Sequence, residues 1–226
     1  MSKFILGYWD VRGFGEAIRY MLEYLEVDYE DRRYVAQGPP PKWEGSTFHP
    51  VRDSLGLDFP NVPYVIDGEV RMTQMSAIMK YISRRFNALA PRSEEQTRKC
   101  DMLDEVIRDF SIGFYLVCYE YEDFDVKKDK YFKETLPAIA TQLERFLADS
   151  TWLIGDELTY VDFKACSFLD QILVMEPDCL NQYKTIKAYL KRFFALKAIA
   201  AYRNSNKFKK LPIASPFAKW GGQKEA

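Results

Sequence analysis

The sequence predicts an α/β domain followed by an all-α domain, and three observations predict it. Strand and helix signals alternate over residues 1–86. Residues 87–92 carry an Ala90-Pro91 linker. From residue 93 to 226 the apolar positions recur with helical period. A strand-helix-strand start implies a parallel pair with a crossover.

The elements follow in order. Phe4-Ile-Leu-Gly-Tyr-Trp9 is an aromatic-aliphatic run suited to a buried strand. Ile18, Met21, Leu22 and Leu25 then share a helix face, and a second strand lies near Tyr29 to Val35. From Ala36 to Asn61 the chain looks irregular and includes Gly38-Pro39-Pro40-Pro41; such long loops in a compact domain tend to be functional. Pro63 to Met72 reads as two strands joined at Asp67-Gly68, a strong hairpin signal. A helix from near Ser76 sets Ile78, Ile82 and Phe86 on one face. Because the strand runs straight into this helix, its free N–H groups form an anion-ready end beside Gln74 and Ser76. The order is βαβ-ββα.

The second domain opens with Ser93-Glu-Glu-Gln96, which has the form of a capping box. Leu103, Val106, Ile107, Phe110, Phe114 and Val117 predict one long buried stripe. Leu136, Ala140, Leu143 and Leu147 predict another, kinked or reset by Pro137. Thr159-Tyr-Val-Asp162 caps a helix carrying Phe163, Cys166, Leu169 and Leu173, and a last helix spans roughly Thr185 to Tyr202. Phe217 and Trp220 are available to dock the tail that begins at Asn204.

Composition narrows the function. The 226 residues are 47% hydrophobic and 29% charged with a net charge of -1, so a soluble protein without nucleic-acid partners is expected. No run approaches the roughly 20 apolar residues of a membrane span and no signal stretch opens the chain, so a cytoplasmic protein is expected. Cys100, Cys118, Cys166 and Cys179 share no metal-ligand spacing, and His49 is the only histidine. Zinc chemistry and histidine-based nucleophilic triads are therefore disfavoured, and no cofactor or metal is expected.

Ile5-Leu-Gly-Tyr-Trp-Asp-Val-Arg-Gly13, Gly56-Leu-Asp-Phe-Pro-Asn-Val-Pro63, Tyr64-Val-Ile-Asp-Gly68 and Thr159-Tyr-Val-Asp-Phe163 occur here in order. Together they resemble the mu class of the cytosolic glutathione transferases, from about Phe4 to Trp220. The resemblance implies a thioredoxin-like first domain, a helical second domain, and a homodimer that conjugates reduced glutathione to small hydrophobic electrophiles in detoxification. A thiol of pKa near 8.5 is mostly protonated at neutral pH, whereas the thiolate is the nucleophile. A phenol beside the sulfur stabilises the thiolate by donating a hydrogen bond. The resemblance gives that role to Tyr8.

By the same resemblance Trp9 and Arg52 contact the glycyl carboxylate, with Phe48 near them. Asn61, Val62 and a cis Pro63 hold the cysteinyl part. Gln74, Met75 and Ser76 receive the γ-glutamyl end, and Asp109 reaches across to glutathione held by the partner subunit. Val11, Phe14, Ile112, Tyr115, Tyr119 and Ser215 line the electrophile pocket, with Tyr119 as a second catalytic donor. Phe59, on an exposed loop, inserts into the partner and locks the dimer.

Three departures from the class pattern stand out. Phe48 replaces a common Trp, for which Trp43 is a possible substitute, and Arg52 replaces a Lys. Gln-Ser-x-Ala-Ile becomes Gln74-Met75-Ser76-Ala77-Ile78, moving the hydroxyl by one position, about 100° around a helix. Met75 and Phe48 favour a rival reading, a ligandin-like or crystallin-like binding protein that does not catalyse. The intact Tyr8 strand motif favours the enzyme.

Overall fold

The computed structural model describes residues 3–37 and 45–223; Gly38-Pro39-Pro40-Pro41 and Trp43 lie outside the described residues. β1 (Phe4–Trp9), α1 (Gly15–Tyr24) and β2 (Tyr29–Tyr34) form the expected parallel crossover unit. Two residue pairs, β3 (Ala36–Gln37) and β4 (Gly45–Ser46), then make a separate antiparallel ribbon, followed by a single 3₁₀ turn, Arg52–Ser54. These pieces lie within the stretch expected to be irregular. Two-residue strands are too short to leave a period in the sequence.

β5 (Tyr64–Asp67) and β6 (Val70–Thr73) pair antiparallel, with Gly68 at φ 61° supplying the left-handed position of the turn. The sheet order is β2-β1-β5-β6. α2 (Met75–Arg85) starts one residue after β6 and Gln74, and buries Ile78 and Ile82. This is the thioredoxin-like arrangement.

α3 (Glu94–Cys118) begins at Ser93, whose hydroxyl accepts from the Gln96 N–H at 3.2 Å. The Gln96 side chain accepts from the Arg92 N–H rather than that of Ser93, so the reciprocal arm of the expected box is shifted by one residue. The α3 stripe is buried except at Val106, which is 40% exposed. Val106 instead lines a surface hollow between α3 and the later α5, a correction to its expected core position. α4 (Phe124–Lys130) runs through a π-helical segment, Tyr131–Thr135, into α5 (Leu136–Leu147). Pro137 comes just after the π-helical segment, so the expected reset of the helical ladder falls where its missing N–H interrupts the run.

α6 (Tyr160–Met175) is the buried centre of this domain and packs on α1. Its start is fixed by Asp162, which accepts from the N–H groups of Leu153 (2.9 Å) and Thr159 (2.8 Å) and from the Tyr189 hydroxyl (3.0 Å). Burial pushes Asp162 up to about 6 from an ordinary 3.8, although these donors oppose the shift. The folded state then binds this proton more tightly than the unfolded chain, so the Asp162 contribution to stability falls as pH rises from about 4 to about 6 and is level above. Asp162→Ala removes the cap and orphans four buried donors, the Thr159 hydroxyl at 3.1 Å included, which costs roughly 3 kcal/mol and lowers Tm by several degrees in a thermal melt.

Where one final helix was expected, the chain forms two, α7 (Lys184–Phe194) and α8 (Lys197–Arg203). Leu196 leaves the helical region at φ -57°, ψ 128°. The turn delivers Ile199 and Tyr202 to the core, and the Tyr202 hydroxyl donates to Glu16 on α1 at 3.1 Å. Tertiary packing overrides a local sequence that carries no breaker. The tail returns to α3: the Trp220 N–H donates to the Cys118 carbonyl, and the Trp220 ring meets Phe114 edge-on. Among the described residues no helix is long and apolar enough to cross a membrane, and no group of three His, Cys, Asp or Glu side chains is placed to hold a metal.

Candidate functional site

β1 ends at the mouth of a cleft between the two domains. Tyr8 sits there with its ring buried and its hydroxyl accepting a 3.0 Å hydrogen bond from the Phe14 N–H. The loop can approach so closely because residue 13 is glycine. At its φ of 41°, a Cβ would stand 2.5 Å from the Tyr8 oxygen. Burial pushes the Tyr8 phenol above its ordinary value, with the Phe14 N–H and the Arg19 charge pulling the other way. A phenol held protonated acts as a hydrogen-bond donor and not as a base.

Two hollows meet at this point. One, about 270 Å³, brings Tyr8 together with Trp9, Val11, Phe14, Tyr115, Tyr119 and Ser215. The other, about 460 Å³, gathers Asn61, Val62, Pro63, Gln74, Met75, Ser76 and Ile112. Phe14 and Val62 line both, so the two form one cleft with Tyr8 on its apolar side. A third hollow of about 480 Å³ continues beyond Trp9, Val11 and Ser215 towards Tyr34 and His49.

The second hollow is built to receive a polar chain. The Val62–Pro63 bond is cis, and the Asn61 side chain caps its own loop by accepting from the Val62 N–H at 2.8 Å. Gln74 has φ 74° and ψ 113°, a conformation that costs an L-residue about 1–3 kcal/mol and persists where surrounding structure imposes it. That conformation turns β6 into α2 without a spacer. The first N–H groups of α2, which have no intrahelical acceptors, therefore end at the hollow.

The Met75 side chain is buried in the main core, so it brings no hydrogen-bonding group to this corner. Ser76 does not replace the missing hydroxyl. Its Oγ donates to Asp104 Oδ1 on α3 at 2.8 Å and accepts from Lys164 on α6 at 3.2 Å. It ties the first domain to the buried Asp104–Lys164 ion pair of the helical domain.

Four other expected residues lie off the cleft. Phe48 is buried in a small second core with Tyr34, Leu57 and Tyr64, its ring edge-on to Trp9 at 5.9 Å. Arg52 is half exposed and pairs with its neighbour Asp53 at 3.2 Å. Asp109 is on the exposed face of α3, and Phe59 is 78% exposed on its loop. Tyr119 borders the apolar hollow, but its hydroxyl is engaged with the tail. It donates to Ser215 Oγ at 2.9 Å and accepts from the Ser215 N–H at 3.1 Å.

The structure adds residues that sequence reasoning missed. Glu105 and Arg108 line the polar hollow from α3 as an ion pair; on a charged helix face nothing in the sequence distinguishes them. Ile213, Ala214 and Phe217 of the tail close the apolar hollow. Gln171 reaches the Tyr8 loop from α6, and its signal was a lone amide in an apolar helical run.

Residues 5–84 match the glutathione S-transferase N-terminal domain, and residues 108–206 match the glutathione S-transferase C-terminal domain. The chain belongs to the glutathione S-transferase family. This glutathione S-transferase is 43% identical to glutathione S-transferase 2 of Gallus gallus, over 97% of this chain and 98% of the relative. It is 39% identical to glutathione S-transferase Mu 3 of Homo sapiens, over 98% of this chain and 97% of that one, in keeping with the mu class. Among solved structures, the glutathione S-transferase Blo t 8 superposes with a TM-score of 0.84 at 32% identity, covering 96% of this chain and 99% of that one. The reading as a binding protein without catalysis is not favoured.

Proposed function

We propose that this protein conjugates the thiolate of reduced glutathione to small apolar electrophiles, as a cytoplasmic homodimer serving detoxification. The observation that carries the reading is the Tyr8 hydroxyl at the junction of a polar and an apolar hollow, kept protonated by burial and oriented by the Phe14 N–H. The thiol binds between the hollows and gives up its proton to solvent water, and the Tyr8 O–H donates to the resulting thiolate. The α2 N-terminus, Gln74 and the cis-Pro63 loop hold the peptide. The electrophile occupies the space edged by Val11, Phe14, Tyr115, Tyr119 and Ser215, while Ile112, expected there, edges the polar hollow instead.

Met75 weakens this site and does not abolish it. One hydrogen bond to a charged group contributes about 1.5–3 kcal/mol, and the backbone donor and helix dipole survive any side chain. The test is steady-state conjugation of a chlorodinitrobenzene-type substrate, with a rate that saturates in glutathione. A rate at the uncatalysed background contradicts the reading.

Two features support the homodimer. Phe59 projects from its loop, and an apolar hollow of about 140 Å³ edged by Met102, Val106, Phe110 and Phe146 has room for such a ring. Truncating an interface aromatic of this kind costs about 2–4 kcal/mol. A symmetric dimer holds two such contacts, so Phe59→Ser weakens it by about 1,000-fold or more in sedimentation, whereas an unchanged association constant would remove Phe59 from the interface.

A further inference from the structure

We propose that Gln171 is a positioning residue for Tyr8, acting through the Gly13–Phe14 peptide. Gln171 lies in the C-terminal half of α6, is 0% exposed, and has every polar atom engaged. Its amide nitrogen donates to the Gly13 carbonyl at 3.2 Å and to the Ser167 carbonyl at 3.1 Å; its oxygen accepts from the Tyr115 hydroxyl at 2.7 Å. A carbonyl only accepts and Tyr115 has a proton to give, so the orientation of the amide follows from its partners.

The Gly13 carbonyl and the Phe14 N–H belong to one peptide unit. Gln171 therefore holds that plane at one end while Tyr8 receives a hydrogen bond from the other. Two consequences follow. The peptide cannot rotate about its own axis without breaking both bonds. In addition, a carbonyl that accepts a hydrogen bond makes its own N–H a stronger donor, by something like 10–30% in condensed phase. A stronger bond into the Tyr8 oxygen makes the Tyr8 O–H a stronger donor in turn. The chain of donation is Gln171 amide, Gly13–Phe14 peptide, Tyr8 hydroxyl, sulfur.

The rest of the loop is already fixed by other groups. The Arg12 and Gly13 N–H groups donate to the Pro212 and Ile213 carbonyls of the tail at 2.9 and 3.0 Å. Gln171 instead couples the helical domain to the catalytic strand. Tyr115, at the wall of the apolar hollow, is tied into the same amide, so filling that hollow and orienting Tyr8 share one polar group.

This inference rests on the glutathione-conjugating reading. The experiment is the pH profile of kcat/KM for glutathione conjugation in four proteins: wild type, Gln171→Leu, Tyr8→Phe and the double variant. Gln171→Met, which keeps the length, replaces Gln171→Leu if the latter does not fold. The expected result is a rise of about half a unit in the apparent thiol pKa of the single Gln171 variant. Below that pKa the variant loses about threefold in kcat/KM, and above it the profiles converge. In the Tyr8→Phe background the Gln171 change leaves the pKa where it is. A profile superimposable on wild type, or the same shift with and without the Tyr8 hydroxyl, overturns the proposal. A wild type without saturable conjugation removes the underlying reading and the positioning role with it, an outcome distinct from the other two.

Discussion

Tyr8→Phe lowers kcat/KM for glutathione conjugation by about 100-fold or more at neutral pH, without a comparable loss of stability. The ring is buried and stays buried, so packing is retained. What is lost is one oriented donor to a charge that must form on sulfur. Removing a single preorganised donor to a developing anion typically costs 10²–10³ in rate. The loss narrows as pH rises, because above the pKa of the free thiol, near 8.5, the thiolate forms without help. Steady-state rates across the pH range read both effects. A uniform loss at every pH would instead point to misplacement of glutathione.

Lys164→Met produces the largest effect on stability. Lys164 and Asp104 are 0% and 1% exposed, and Lys164 also donates to the Asp104 carbonyl at 2.7 Å. Burial lowers the Lys164 pKa while Asp104 pulls it back up. Removing the ammonium leaves a carboxylate with the Ser76 hydroxyl at 2.8 Å and the Lys80 ammonium at 3.3 Å. Breaking one side of a buried pair costs about 3–5 kcal/mol, and in a chain of this size Tm falls by roughly 10 °C. Lys164→Met with Asp104→Leu recovers most of that loss, since two well-packed apolar residues replace a buried pair at little net cost. Calorimetric melts of the single and double variants measure the difference. Equal melting temperatures for both would mean that the loss comes from packing and not from the unpaired carboxylate.

Much of the fold was legible because its signals are local. The run ending at Tyr8 and Trp9, the Asp67-Gly68 turn and the Thr159 to Asp162 box each act within a few residues. The break at Leu196 was not legible, since the residues around it favour a continuous helix and the reason to turn lies in the core that Ile199 and Tyr202 enter. Val106 fits the apolar period of α3, yet that helix carries more apolar residues than its own core covers.

For the site, residue types on short loops were readable, and the cleft gathers most of them. Where side chains point was not. The Ser76 hydroxyl faces Asp104 and Lys164, elements separated from it by 28 and 88 positions. Lys164 and Gln171 did leave a trace, for they stand seven residues apart, on one face of a helix otherwise rich in apolar side chains. Two polar groups at buried helical positions require partners, and the sequence cannot say which ones.

The most direct test of the central claim, that Tyr8 stabilises the glutathione thiolate, is an ultraviolet titration of the thiol bound to wild type and to Tyr8→Phe. The thiolate absorbs where the thiol does not, so the pKa is read without any electrophile. In wild type the bound thiol titrates below its free value of about 8.5, and in Tyr8→Phe it returns towards that value. A bound thiol that titrates at the same pH in both proteins would contradict the role assigned to Tyr8.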